Sequence, residues 1–173
     1  PDLYPLDVMA IILGQGRTSR LYLGLKDRED LVLSVSASSW TPSYAPGLFN
    51  FSFTLDGEKL EPTLAAVWDE VALIKKNLVK KSELEKAKRQ IIADFTFSKQ
   101  SSAGMASSLA TSYAATGDPY YDSFYVERIK AVSREDIRRV ARTYLRQQAS
   151  TVSILSPPRK PAERAEATLQ RKA

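Results

Sequence analysis

Residues 12 to 22 read Ile-Leu-Gly-Gln-Gly-Arg-Thr-Ser-Arg-Leu-Tyr, and this run constrains the fold more than any other. Upstream of it, Leu6, Met9, Ala10 and Leu13 recur at helical spacing and stop at Gly14, which reads as a C-cap. Thr18 or Ser19 can then cap a second helix running to about Arg28. A strand follows from Leu31 to Trp40, with Leu31, Leu33, Val35 and Ala37 on one face. After the turn-rich Thr41-Pro42-Ser43-Tyr44-Ala45-Pro46-Gly47, the segment Leu48 to Leu55 alternates cleanly. Phe49, Phe51, Phe53 and Leu55 take one side, and Asn50, Ser52 and Thr54 the other. A half-buried strand has this pattern, and it pairs with the preceding one as a hairpin.

Beyond Asp56-Gly57 the period becomes helical. Leu60, Leu64, Val67, Trp68, Val71, Ile74 and Leu78 form one stripe. Ser82-Glu83-Leu84-Glu85 reads as a capping box, so the next helix is expected from about Glu83, with Leu84, Ala87, Ile91 and Phe95 turned inward. Ser101 to Ala115 is small and polar and can be helical with weak propensity around Gly104; its small residues Ser101 to Ser112 read as a flexible hinge or, in preference, as a helix packed closely on a neighbour. Gly117-Asp118-Pro119 is a stop. Ser133-Arg134-Glu135-Asp136 caps a further helix that carries Ile137, Val140, Ala141, Tyr144 and Leu145. Thr151 to Leu155 is expected as a last short strand. Segregated strands and helices give an α+β fold with a mainly antiparallel sheet. The expected core joins Phe49, Phe51 and Phe53 to Val67, Trp68, Val71 and Ile91, so that Phe51→Ala should cost roughly 3–5 kcal/mol.

Composition excludes several classes of chemistry. The 173 residues include no cysteine and no histidine, which removes thiolate and imidazole metal ligands and any histidine base for a serine nucleophile. No run of about 18 apolar residues is present to span a membrane. The net charge is +5, and much of it sits in Arg159, Lys160, Arg164, Arg171 and Lys172 near the C-terminus. No basic–aromatic interleaving accompanies it, so nucleic acid is not expected as a partner. One domain is expected over residues 1–156, with 157–173 as a basic tail, helical or frayed. A start at Pro1 reads as a piece of something longer.

Four blocks in this order resemble one family, the pitrilysin/insulinase-type zinc metallopeptidases that include the mitochondrial processing peptidases. The family's Leu-Gly-x-Gly-x-x-Ser-Arg-Leu turn is matched by Leu13, Gly14, Gly16, Ser19, Arg20 and Leu21, with Tyr22 next. Val35, Ser36 and Ala37 match its following strand, and Gly47, Leu48 and Phe49 the start of the next one. Lys81 to Lys88, with Ser82 and Glu85, matches a helix start. Ile129, Val132, Ser133, Glu135, Asp136, Ile137, Val140, Ala141, Tyr144 and Leu145 match a late block.

The resemblance implies a C-terminal, non-zinc-binding domain with a mitochondrial-processing-peptidase-like sandwich, helices on a mainly antiparallel sheet. It implies a structural, substrate-enclosing part of a clamshell metalloendopeptidase. No cofactor is expected in this chain, and zinc is implied for the full-length protein. The implied partners are an upstream catalytic domain, the opposite half of the clamshell and a peptide substrate. The rival reading is a non-enzymatic scaffold or inactive partner subunit. The arginine and tyrosine with which some members grip substrate align with Lys26 and Leu33, so that role does not carry over. Bacterial periplasm or cytoplasm is the expected compartment, with a lean to the periplasm.

Bland readings stand beside the sharper ones. Gly14-Gln15-Gly16 lacks the lysine and third glycine of a phosphate cradle and reads as an interhelix turn. Asp27, Glu29 and Asp30 read as solvated rather than as a metal cage. Tyr120, Tyr121 and Tyr125 could line a peptide groove, although such residues more often serve as core or interface aromatics. Self-association is expected through an open strand edge or an apolar patch around Leu3, Leu6 and Ile11.

Overall fold

The computed structural model describes residues 2–42 and 45–157; the expected tail lies almost wholly outside them. Helix α1, Leu3–Gly14, is apolar on nearly every face. Such a helix belongs in the middle of a fold. Here it is clasped by β1 (Ser34–Trp40), α3 (Lys81–Ser98), α5 (Tyr125–Ala131) and α6 (Arg134–Tyr144). Val8, Met9 and Leu13 are fully buried, and so are Ile74, Ile129, Ile137 and Val140 from surrounding helices. Leu6 and Ile11 are buried too, so the apolar patch expected for self-association is in fact core.

β1 pairs antiparallel with β2 (Leu48–Thr54), Ser34 opposite Thr54 and Trp40 opposite Leu48. Helix α2 is Leu60–Lys76, and α4 is Ser102–Thr116. Helices segregated from an antiparallel hairpin make an α+β fold. One contiguous core results, with Val67, Val71 and Ile91 inside it. Phe49, Phe51, Phe53 and Trp68 pack on its edge, half-buried.

Several local expectations give way. Gly14 is the last helical residue rather than a cap; the left-handed turn belongs to Gly16, at φ 81°. A Cβ on Gly14 would lie 2.4 Å from Ala37 N, so this glycine is required because α1 meets the backbone of β1. The second helix starts at Arg20 and widens into a π-helix over Tyr22–Arg28, which keeps both Leu21 and Leu25 in the core. Leu33 is 60% exposed and Val32 is buried instead, because the pleat begins only at Ser34.

Helix α3 starts at Lys81, two residues before the expected Glu83. Glu83 sits in its first turn and accepts the Lys80 N–H at 2.8 Å, while Ser82 is exposed. Helix α4 is capped by Ser101 and ended by Gly117 in the left-handed region, as its stop signal implies. Among the described residues, however, Ser112 is its only buried residue, so it does not pack closely on a neighbour. Thr151 to Leu155 is not a strand. No ladder partner lies beside it among the described residues, and Val152, Ile154 and Leu155 are exposed.

Candidate functional site

The glycine turn and the residues that follow it are the most heavily tied segment of the surface. Gly16 turns the chain, and Ser19 closes the turn from the inside. Its N–H reaches the Gly16 carbonyl at 3.1 Å and its Oγ donates to the same oxygen at 2.8 Å. The Ser19 hydroxyl is therefore spent on the turn rather than on capping the next helix. Thr18 is not a cap either; its Oγ1 accepts a hydrogen bond from Lys86 Nζ. Gln15 Nε2 donates to the Ala37 carbonyl at 3.3 Å, fixing the turn to β1. Leu21 then drops into the core at 2% exposure, which points Arg20 across the surface toward α2 and α3.

Arg20 joins three elements. Its Nε and Nη2 donate to Glu83 Oε1 and Oε2, each at 2.9 Å, a bidentate fork. Its Nη1 donates to Glu70 Oε1 at 2.9 Å. Burial disfavours the charged Glu83 carboxylate, but the hydrogen bonds from Arg20 and from Lys80 N–H outweigh it, and its pKa falls below the ordinary value. The Glu83 carboxylate is thereby held in its charged form, and the bidentate fork stays closed. Tyr22 opens the π-helix, with Lys26 Nζ 5.4 Å from its ring centre. Lys26 also donates to the Leu33 carbonyl at 2.5 Å, which links the two positions aligned with the family's substrate-gripping pair.

The remaining motif residues divide between two places. Ser82 and Glu85 lie on α3 beside Glu83, and Glu85 pairs with Lys88 at 3.5 Å. Ser133 and Asp136 are remote from the turn and form a capping box. Ser133 Oγ accepts the Asp136 N–H at 3.0 Å, and Asp136 Oδ2 accepts the Ser133 N–H at 3.0 Å. The Ser133 hydroxyl's own hydrogen bond to Asp136 holds that carboxyl below its usual range.

Sequence reasoning missed several partners. Glu70 and Glu83 lie on separate helices, and only the approach of those helices makes them Arg20's acceptors. Lys88, 8% exposed, donates to the Lys130 carbonyl at 2.8 Å and so ties α3 to the end of α5. Asp7 is the one acid on α1, and a lone carboxylate in an apolar helix was the available signal. It accepts the Tyr125 hydroxyl at 2.7 Å, and burial pushes its pKa up. Burial and the neighbouring Asp7 push Tyr125 up strongly as well.

This arrangement ties elements together. No serine has an imidazole beside it, since the chain has no histidine. Among the described residues no three acidic side chains converge on a point that could hold a metal ion, and Asp30 is taken up by Lys59 at 3.3 Å. The described residues therefore do not fit zinc. The cavity beside the turn, lined by Ile11, Gln15, Thr18, Ser19, Glu83 and Lys86, measures about 30 Å³, room for little more than a water.

Relatives carry the same fold. A protein of Rickettsia bellii described as an uncharacterized zinc protease is 25% identical over 152 residues. That match takes in 88% of this chain and 36% of the relative, so the chain spans about a third of that protein's length. An inactive peptidase domain from Bordetella parapertussis superposes with a TM-score of 0.80 at 22% identity, covering 93% of this chain and 87% of that one. A periplasmic protease of Escherichia coli contains the fold as well, with a TM-score of 0.68 at 18% identity over 84% of this chain and 16% of its own. The sequence pattern of the peptidase M16 inactive domain matches residues 1–91, more than half of the chain and including the whole glycine turn and its Arg20 clamp. The chain belongs to the peptidase M16 inactive-domain family.

Proposed function

We propose that this chain is the non-catalytic, substrate-enclosing domain of a zinc metalloendopeptidase. The Arg20 clamp carries the reading. It ties α2, α3 and the turn together in a domain whose described residues offer no metal cage, which is what a bracing wall requires and a catalytic centre does not. Zinc and the water it activates belong to another part of the full-length protein, and peptide is the substrate class. The reading also places the protein in the bacterial periplasm, in keeping with the fold it shares with a periplasmic protease.

The test uses the full-length protein and two variants. Replacing Arg20 should lower peptidase activity together with thermal stability while leaving bound zinc unchanged. Replacing a metal-binding histidine outside this chain should remove zinc and activity and leave the stability of this domain intact. Zinc loss on replacing Arg20 would contradict the division of labour. Cell fractionation checks the compartment: recovery of the full-length protein with cytoplasmic markers would refute the periplasmic placement.

A further inference from the structure

The aromatic run at residues 120–125 is not explained by the clamp. Tyr125 alone turns inward, stacking on Phe95 with ring centres 5.0 Å apart and bonding Asp7. Tyr120, Tyr121 and Phe124 stay 68%, 55% and 63% exposed. Three large exposed aromatics within five residues are more than the singly scattered apolar side chains of an ordinary surface. They are also well anchored. Asp122, between them, takes an ion pair from Lys99 at 2.7 Å and a hydrogen bond from Ser108 Oγ at 2.6 Å. The run is thus fixed against α3 and α4 while its rings face outward.

Beside these rings lies an open cleft of about 420 Å³, lined by Tyr4, Tyr121, Phe124, Asp118 and Arg128. That volume is in the range of ligand sites, roughly 300–1,000 Å³. Three of its five lining residues are aromatic, and its two charged residues have opposite signs. No ion pair joins Asp118 to Arg128, and among the described residues Arg128 has no acidic partner. Asp118 is oriented by the Tyr120 N–H, which donates to Oδ1 at 2.8 Å. Tyrosine and arginine around a concave aromatic surface are the side chains that anchor polypeptide partners.

We propose that this cleft is a docking subsite for peptide substrate: it takes one large apolar side chain, flanked in the peptide by a basic residue that meets Asp118 and an acidic residue that meets Arg128. The charge complementarity picks this occupant over a purely apolar one, because two unpaired charges of opposite sign would be left facing an apolar ligand. The inference rests on reading the chain as a wall of a peptide chamber. It adds a subsite and a sequence preference to that reading.

The experiment titrates this chain with two fluorescein-labelled peptides, GSKAFAEGS and GSEAFAKGS, and with the same pair carrying alanine for phenylalanine. One orientation should bind saturably and at least about tenfold more tightly than the other. The alanine versions should not saturate. The double variant Asp118→Lys, Arg128→Glu should reverse the preference; both sites are exposed, and loss of the Asp118 bond to the Tyr120 N–H should lower the melting temperature only slightly. Equal affinity for both orientations, indifference to the charge swap, or no saturable binding would overturn the proposal.

Hydroxyl-radical footprinting of the full-length protein adds a second readout. Tyr121 and Phe124 should react without peptide and be protected with it. Protection in both states would mean that another part of the polypeptide covers the cleft, which also overturns the proposal. The two inferences fail separately. A full-length protein that cleaves peptides while this chain binds none keeps the chamber reading and loses the subsite. A chain that binds as described, from a full-length protein without peptidase activity, keeps the subsite and loses the chamber.

Discussion

Arg20 shows how one side chain can decide the arrangement of its surroundings. Its two acceptors come from different helices, and its own backbone position is fixed by the Ser19 turn and by buried Leu21. Arg20→Ala would leave Glu70 and Glu83 facing each other without the cation. The side chains are about a fifth exposed, which moderates the cost. Urea denaturation should show a loss of about 1–3 kcal/mol. Arg20→Lys should recover only part of it, since an ammonium cannot form the fork. Gly14→Ala should cost about 1–3 kcal/mol, because its methyl would overlap the Ala37 backbone. Gly24→Ala is the control: its added carbon meets only the end of Arg28, at 3.7 Å, and no loss is expected.

The titrating residues predict opposite responses to acid. Glu83 and Asp136 have folded pKa values below their ordinary 4.5 and 3.8. Each contributes stability that is present above the ordinary value and lost as pH falls through the folded one. Asp7 runs the other way. Its folded pKa lies above 3.8, so the fold gains stability as pH falls through that raised value and has the full gain below 3.8. Melting temperature measured against pH should therefore respond to Asp7→Asn in the acid range above pH 3.8, with the variant less pH-dependent there than the parent. A variant that tracks the parent throughout would contradict the burial of Asp7.

At the scale of elements, the hairpin and most of the helices were legible because their periods are clean. β2 alternates through three phenylalanines, α6 carries its own capping box, and α4 ends on a left-handed glycine. Three things were illegible for a common reason: they depend on what a segment meets. Thr151–Leu155 has strand composition, but a strand exists only through its ladder partner. The small residues of α4 permit close packing without requiring it. Gly14 looks like any helix-ending glycine, and only the approach of Ala37 gives it a different purpose.

The phenylalanines teach a related lesson. Alternation told which side of β2 faces inward but not how deep that side lies; the deep centre is α1 and the helices around it. Phe51→Ala should consequently cost less than the 3–5 kcal/mol of a fully enclosed site, while Ile137→Ala, at 0% exposure, should cost about 2–5 kcal/mol. Chemical denaturation of the two variants side by side checks the order. A costlier Phe51→Ala would mean that the hairpin, not α1, forms the centre of the core.

For the whole molecule, the site was legible as a motif and illegible as a mechanism. The run from Gly14 to Tyr22 stood out in the sequence, and the structure makes it a tie between α1, β1, α2 and α3. What the sequence could not display was the pair of acidic partners, because Glu70 and Glu83 lie 50 and 63 residues from Arg20. On the proposal made above, this chain holds and encloses, and metal chemistry belongs to another part of the full-length protein. The most direct test is to dialyse the chain against zinc, measure bound metal, and assay hydrolysis of unstructured peptides. The account predicts no stoichiometric zinc and no cleavage. One tightly held zinc per chain, with hydrolysis abolished by a chelator, would contradict it.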